Sequence, residues 1–417
     1  MAHEWTKDLS FSDRLAATSK ILVAYKTAHP GGEAAEAGKY ARSAEEDCRR
    51  HALSMTEYHE LVSKSVSLLQ NAVPPSAEAL EDHHQDEHIF PNLPNTGATI
   101  GRYTHASHHS DGLFSEVFRA VDSEPGLGSP NSTKVVALKI TTPAVMTPPH
   151  NAIREARILG AAKGSTVIPL LETFQQSGGR FVLVFPFMPH DLGTLLEQGY
   201  FRKHQTISSV SAHPRRVILR DLFTGLKHLH SLGILHRDIK PGNILLASPQ
   251  GPAYLADFGI AWMPGDRDSE PDAEKILDVG TTSYRAPELL FGCTDYGVGV
   301  DLWAAGCVAA QLVRDDAHRP LFDAGDMGSE LALIKSIFTT LGTPDDEGRM
   351  WPETLVPGRI PDWGKMRFKH FSPLSWSDEI LVGADEFAVD LVRTLVVYES
   401  GSRLSASDVS VCLFSRA

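Results

Sequence analysis

Cysteine is scarce in this chain. Only four stand among 417 residues, Cys48, Cys293, Cys307 and Cys412, and no two form a Cys-x-x-Cys pair. Neither a disulfide framework nor a zinc knuckle is therefore expected, and the thiols read as reduced and mostly packed. A membrane-crossing run is also missing: the longest nearly uncharged apolar stretch, Leu302 to Val313, is well short of the roughly 20 residues a bilayer requires. The N-terminus carries no signal-peptide pattern. Positive charge is in deficit, 39 Lys and Arg against 52 Asp and Glu for a net charge of -13, so most of the surface would repel a phosphate backbone. These absences predict a soluble, intracellular protein of cytoplasm or nucleus, with neither nucleic acid nor membrane as partner. The length exceeds one core of roughly 100 to 200 residues, which predicts two lobes and something extra.

The extra part is the first 97 residues. Phe11 to Lys26 and Glu33 to Ala72 carry helix formers with loosely periodic apolar positions, among them Tyr58, Leu61, Val62, Val66 and Leu69. Beyond them, Val73 to Asn95 holds four prolines and several acids and reads as a linker. Its His83, His84 and His88 can be imagined as metal ligands, but histidines in a polar linker are usually solvated. No internal repeat appears, and these residues do not disclose the extension's role.

Chemistry concentrates further on. His236-Arg237-Asp238-Ile239-Lys240-Pro241-Gly242-Asn243 is followed, fourteen residues after its asparagine, by Asp257-Phe258-Gly259. That spacing supplies a carboxylate to accept a hydroxyl proton, a lysine for a transferring phosphoryl group, and an Asn/Asp pair of oxygen donors for magnesium. Upstream, the β-branched run Val135-Val136-Ala137-Leu138-Lys139 ends in a lysine, and Glu155 follows sixteen residues later on an amphipathic segment whose N-cap is Asn151. Together these motifs resemble the eukaryotic protein kinases over residues 98–417. The resemblance implies an α+β, bilobal protein kinase fold: a small antiparallel β-sheet lobe with one regulatory helix (98–186) and a larger, mainly α-helical lobe (187–417). It also implies ATP and Mg²⁺ as cofactors and a protein substrate.

Carried over residue by residue, the resemblance implies catalytic roles for Asp238, Lys240, Lys139, Glu155 and Thr281, and metal ligation by Asn243 and Asp257. Nucleotide contacts fall to Gly112, Val117, Ala137, Lys139, Phe185, Met188, Asp191, Leu245 and Ala256. Phe185 would seal the rear of the adenine pocket, the Met188 backbone would meet the base and Asp191 the ribose. Lys139 pairs with Glu155 in kinases only when the regulatory helix is swung in. Glu288 and Arg403 are expected to form a buried pair, and Asp301 and Trp303 to lie on a helix bracing the catalytic loop. A lysine at 240 resembles serine/threonine kinases. The loop over the nucleotide, Ser110 to Val117, departs from the family's three glycines by keeping only Gly112, so the phosphate cover is expected to be either looser or stiffer than usual.

Ala152-Ile153-Arg154-Glu155, Tyr284-Arg285-Ala286-Pro287-Glu288, and Leu341-Gly342-Thr343-Pro344-Asp345 with Trp351-Pro352 and Ile360-Pro361-Asp362 resemble the cyclin-dependent-kinase-like group. The place of that group's activating threonine falls near Ile276, yet 270–280 contains no Ser, Thr or Tyr. One of Glu270, Asp272, Glu274 and Asp278 could meet Arg237 in place of a phosphate, or the loop could be a solvated acidic one. This departure resembles the single-subunit fungal kinases that activate cyclin-dependent kinases. Two other readings stand beside it: a kinase bound to a cyclin and acting on other proteins, and a pseudokinase scaffold disabled by its poor glycine loop. Gly280, beside the substrate residue after the target hydroxyl, leaves a proline preference undecided.

Overall fold

The computed structural model describes residues 11–28, 34–71, 97–122, 134–201, 214–314, 319–325 and 328–415. The 73–95 linker and its three histidines lie outside them. Three helices, α1 (Phe11–Ala28), α2 (Ala34–His51) and α3 (Met55–Asn71), make one compact unit, and the elements that follow make another. Tyr58, Val62 and Leu69 are buried on one face of α3 against Ala17, Ile21 and Ala41. The 33–72 helical span breaks in two at 52–54. There Ser54 Oγ accepts from the Glu57 backbone N–H at 3.2 Å while the Glu57 carboxylate accepts from Leu53 N–H at 2.8 Å, a reciprocal cap that opens α3. Among the described residues one acid is buried in the bundle, Glu45, and it is paired as a buried charge must be. It accepts from Arg14 at 3.1 Å and from the Tyr58 hydroxyl at 3.0 Å.

The second unit opens with an antiparallel sheet of β1 (Ala98–Ile100), β2 (Tyr103–Asp111), β3 (Ser115–Asp122), β4 (Lys134–Thr141), β5 (Glu172–Gln176) and β6 (Arg180–Pro186), in the order β1-β2-β3-β4-β6-β5. Alternation along β4 sends Val136, Leu138 and Ile140 into the lobe's core and leaves Ala137 and Lys139 on the other face. Register sets Val117 and Leu183 opposite Lys139, and Phe185 opposite Ala137, so these side chains share one face of the sheet. Between β4 and β5 runs the regulatory helix, α4 (Ala152–Ala161), capped as the sequence predicts: Asn151 Oδ1 accepts from Arg154 N–H at 2.9 Å.

The chain then becomes mainly helical. A small sheet of β7 (His190–Asp191), β8 (Ile244–Leu246) and β9 (Ala253–Leu255) sits beside α5 (Leu192–Glu197) and α6 (Pro214–Ser231). After the four-residue α7 (Pro287–Leu290) comes α8 (Gly299–Val313), which holds the apolar run noted above and is buried from Gly299 to Leu312, as befits a helix apolar all round. Among the described residues no helix is long and apolar enough to cross a membrane. Helices α9 (Glu330–Leu341), α10 (Glu386–Leu395) and α11 (Ala406–Ser415) complete the lobe. The 341–380 insertion joins its core through aromatic contacts, with fully buried Trp351 edge-on to Phe291 at 5.5 Å and stacked on Tyr398 at 5.5 Å.

Candidate functional site

The catalytic loop is fixed from below by Asp301 on α8. Its carboxylate accepts from the backbone N–H groups of His236 at 2.9 Å and Arg237 at 2.8 Å, and from His230 at 3.0 Å. Burial opposes charge on Asp301, but the bond to His230 and the nearby His236 outweigh it and hold the carboxyl below its usual range. Arg237 and Asp257 both take positive φ, 68° and 62°, without being glycine. Such backbone costs about 1–3 kcal/mol per residue and persists where the surroundings over-determine it.

Above this floor the predicted residues come together in two linked groups. In one, Asp238 receives Asn243 Nδ2 at 2.9 Å, Lys240 Nζ at 2.8 Å and the Thr281 hydroxyl at 2.8 Å, and Lys240 also donates to Thr281 Oγ1 at 2.8 Å. The carboxylate is thus aimed, not free to rotate. In the other group, Lys139 Nζ lies 2.7 Å from Glu155 Oε1 and 2.7 Å from Asp257 Oδ1. Lys139 is the chief reason the Asp257 carboxyl stays far below its usual range, with Lys240 and His236 adding to it. On Lys139 burial works against the charge, but Asp257 and Glu155 overcome it and raise its pKa. Regulatory helix α4 is therefore in its engaged position. The groups meet because Ala256 N–H donates to Asn243 O at 3.0 Å, which sets Asn243 next to the turn bearing Asp257.

Val117, Ala137 and Phe185 lie on the Lys139 face of the sheet, and Leu245 stands opposite Asp191 in the small sheet. Phe185, Met188 and Leu245 are partly buried against the main core, and Ala256 is buried. The Asp191 carboxylate is engaged locally: it caps α5, accepting from Thr194 N–H at 2.9 Å and Thr194 Oγ1 at 2.7 Å. In the glycine loop, Gly112 N–H donates to Ser115 O at 2.7 Å, and a Cβ on Gly112 would lie 2.6 Å from Ser115 Oγ, so a larger residue there would require the serine hydroxyl to turn away. The loop's Phe114 packs on His150, 5.0 Å between rings, just before α4.

The donor set suits a magnesium nucleotide. Asp257, held ionised, and the Asn243 amide offer hard oxygen donors, and a cation kept to two protein ligands retains sites for water and phosphate oxygens. Gly259 leaves room beside them: a Cβ there would sit 3.3 Å from Asp257 Oδ1.

The activation segment is pinned at many points. Glu270, of the four acids near it in sequence, is the one at Arg237, 3.3 Å from the guanidinium. Arg237 also donates to Ile260 O at 2.6 Å and to the Tyr296 hydroxyl at 3.1 Å. Lys275 is buried, its ammonium 4.6 Å from the Trp262 ring centre and 2.5 Å from Asp272 Oδ1. Trp262 Nε1 donates to Glu270 O at 2.8 Å, and Tyr296 to Ile276 O at 2.7 Å. Gly280 takes φ 81°, and a Cβ there would meet Arg237 O at 3.0 Å. Downstream, the expected pair forms: Arg403 clasps Glu288 at 2.5 and 2.7 Å, both buried.

Sequence reasoning missed Arg157, Asp266, Asp268, Trp262, Lys275 and Tyr296. A weak signal existed for the first three: Arg157 lies one helical turn from Arg154 on α4, and two aspartates flank Arg267 just past Asp257-Phe258-Gly259.

Residues 105–413 match the family described as the protein kinase domain. The serine/threonine-protein kinase csk1 of Schizosaccharomyces pombe is 35% identical over 312 residues, covering 74% of this chain and 93% of that protein. Cyclin-dependent kinase 20 of Danio rerio is 32% identical, covering 74% of this chain and 81% of that protein. For cyclin-dependent kinase 7 of Xenopus laevis the figures are 34%, 71% and 76%. With Lys139, Glu155, Asp238, Asn243 and Asp257 assembled as above and relatives aligned over most of their length, the chain belongs to the protein kinase family, among its cyclin-dependent-kinase-like serine/threonine kinases.

Proposed function

We propose that this kinase phosphorylates the activation-loop threonine of a cyclin-dependent kinase and needs no such phosphorylation itself. The observation that carries the reading is the Glu270–Arg237 pair, within a segment whose 270–280 stretch offers no hydroxyl. A carboxylate already occupies the arginine that a phosphate would otherwise meet, and Trp262, Lys275 and Tyr296 hold the flanking backbone.

Within the site, Asp238 accepts the hydrogen bond of the substrate hydroxyl and orients its oxygen, its own geometry fixed by Asn243, Thr281 and Lys240. Lys240 lies beside that oxygen as the compensating cation. Lys139, positioned by Glu155, meets the nucleotide's phosphates, and Asn243 with Asp257 would hold magnesium. When bound, the magnesium nucleotide supplies the phosphoryl group and neutralises charge that builds on it. Phe185, Met188 and Leu245 form the apolar bed for the base.

Phosphatase treatment of purified protein, followed by assays on activation-loop peptides of cyclin-dependent kinases and on simple Ser/Thr-Pro peptides, tests the proposal. Undiminished activity with preference for the activation-loop peptides is the expected result. A large loss after dephosphorylation overturns the self-sufficiency; preference for the simple peptides overturns the substrate assignment.

A further inference from the structure

Engagement of Lys139 by Glu155 requires α4 to stay against the sheet, and two arginines on α4 face the activation segment. Arg154 is buried and donates to Asp268 O at 2.9 Å and to Pro149 O. Arg157, one turn on, grips two carboxylates: Asp266 through Nε at 2.7 Å and Nη2 at 2.9 Å, and Asp268 through Nη2 at 2.5 Å. The Asp266 side chain is 4% exposed and that of Arg157 29% exposed, so solvent screens this pair less than an ordinary surface bridge. Asp266 is itself held: it accepts from Asp268 N–H at 3.0 Å, and its own N–H donates to Met263 O at 3.3 Å. The adjacent Trp262 exchanges two backbone hydrogen bonds with Leu235, each 2.9 Å, at the entry to the catalytic loop. A continuous chain of contacts thus runs from α4 through 262–268 to the loop that carries Asp238.

We propose that Arg157 is a positioning residue: its clasp on Asp266 and Asp268 keeps α4 engaged, so that Glu155 holds Lys139 without a second polypeptide bearing on the helix. The proposal rests on the reading of Lys139 and Glu155 as the pair that orders the nucleotide's phosphates. Arg157 touches no reacting group. Its effect reaches the site through Glu155, two residues back on the same helix.

The test uses the full chain and compares Arg157→Met, which keeps the stem and its helix propensity, with Asp266→Asn, the double variant, Arg157→Lys and Glu155→Gln. Coupling between sites commonly amounts to about 5- to 150-fold, and a bidentate, mostly buried pair is expected near tenfold in kcat/KM for ATP. The double variant should be no worse than Arg157→Met alone, because that change already removes the contacts to both Asp266 and Asp268, whereas Asp266→Asn leaves the one to Asp268. Arg157→Lys, which keeps charge but loses the fork, should recover part of the loss. Amide hydrogen exchange supplies a readout that a general structural role would not give: 152–161 should exchange faster in Arg157→Met while 301–313 stays as in the parent. Full activity of Arg157→Met, multiplicative losses in the double variant, or equal loosening of both helices would each overturn the clasp. If Glu155→Gln is disabled and Arg157→Met is not, the clasp alone fails. A fully active Glu155→Gln overturns the site reading and the clasp with it.

Discussion

Glu270→Gln tests whether the activation segment is self-sufficient. The change keeps the shape and one acceptor oxygen, and it removes both the charge facing Arg237 and one of the two acceptors there. At 3.3 Å, and with an effective dielectric near 20, the pair attracts by about 5 kcal/mol before desolvation is subtracted. Breaking a fully buried pair costs about 3–5 kcal/mol because the partner charge is stranded. Three features lower that figure here. The distance exceeds the roughly 2.7–2.9 Å of a strong charge-assisted bond; the Glu270 side chain is 12% exposed; and Arg237 keeps its bonds to Ile260 O and Tyr296. About 2 kcal/mol remains, close to a 30-fold fall in kcat/KM if it acts on the active conformation. Steady-state rates on one peptide at saturating Mg²⁺ measure it, with Glu274→Gln, an exposed acid on the same segment, as control. Glu270→Gln within about twofold of the parent would refute the argument, because the charge at Arg237 would then contribute nothing to the active state.

Three further outcomes follow from other parts of the site. Asp238→Asn, which leaves the carboxylate's shape in place, should lower kcat by about 10³-fold with little change in KM for ATP, as removal of a positioned base does; kcat within tenfold of the parent would contradict its role. Arg403→Met strands the buried Glu288 carboxylate and should cost about 3–5 kcal/mol in a urea titration, a large share of the roughly 5–15 kcal/mol that a folded domain has. His150, mainly through burial, is pushed down from 6.5 to about 4. The unfolded chain therefore takes up a proton below pH 6.5 that the folded one refuses until about pH 4, so stability falls as pH drops through that window. Discounted for partial exposure, the total loss across that window should amount to about 2 kcal/mol and be absent in His150→Gln.

What the sequence disclosed was local. A β-branched run ending in Lys139 and an asparagine before an amphipathic segment each specify their geometry within a few residues and took the conformation those residues favour, whereas the eight-residue catalytic loop, though its motif is legible, holds Arg237 at a positive φ that its surroundings impose. The break between α2 and α3 was just as local, encoded by Ser54 and Glu57 as a capping pair. Asp191, the residue given to the ribose, has a further local role that its sequence position also explains, since its carboxylate caps α5. The choice of Glu270 among four nearby acids could not be read, because it depends on Trp262 and Tyr296 fixing the segment's path. Arg157 meets Asp266 across 109 residues of sequence, a pairing no local pattern encodes.

Phosphate and carboxylate differ in a way that accounts for the layout of this segment. A phosphate carries about -1.5 to -2 charges and three acceptor oxygens at one point, enough to gather several arginines together. A single carboxylate cannot do so. Here the acids are distributed instead: Glu270 at Arg237 on the catalytic loop, Asp266 and Asp268 at Arg157 on α4. Asp266, Asp268 and Glu270 stand two residues apart in a stretch of turns, so one short length of backbone bonds both α4 and the catalytic loop. A carboxylate cannot be added and removed as a phosphate can, so such an arrangement gives up that form of reversible control.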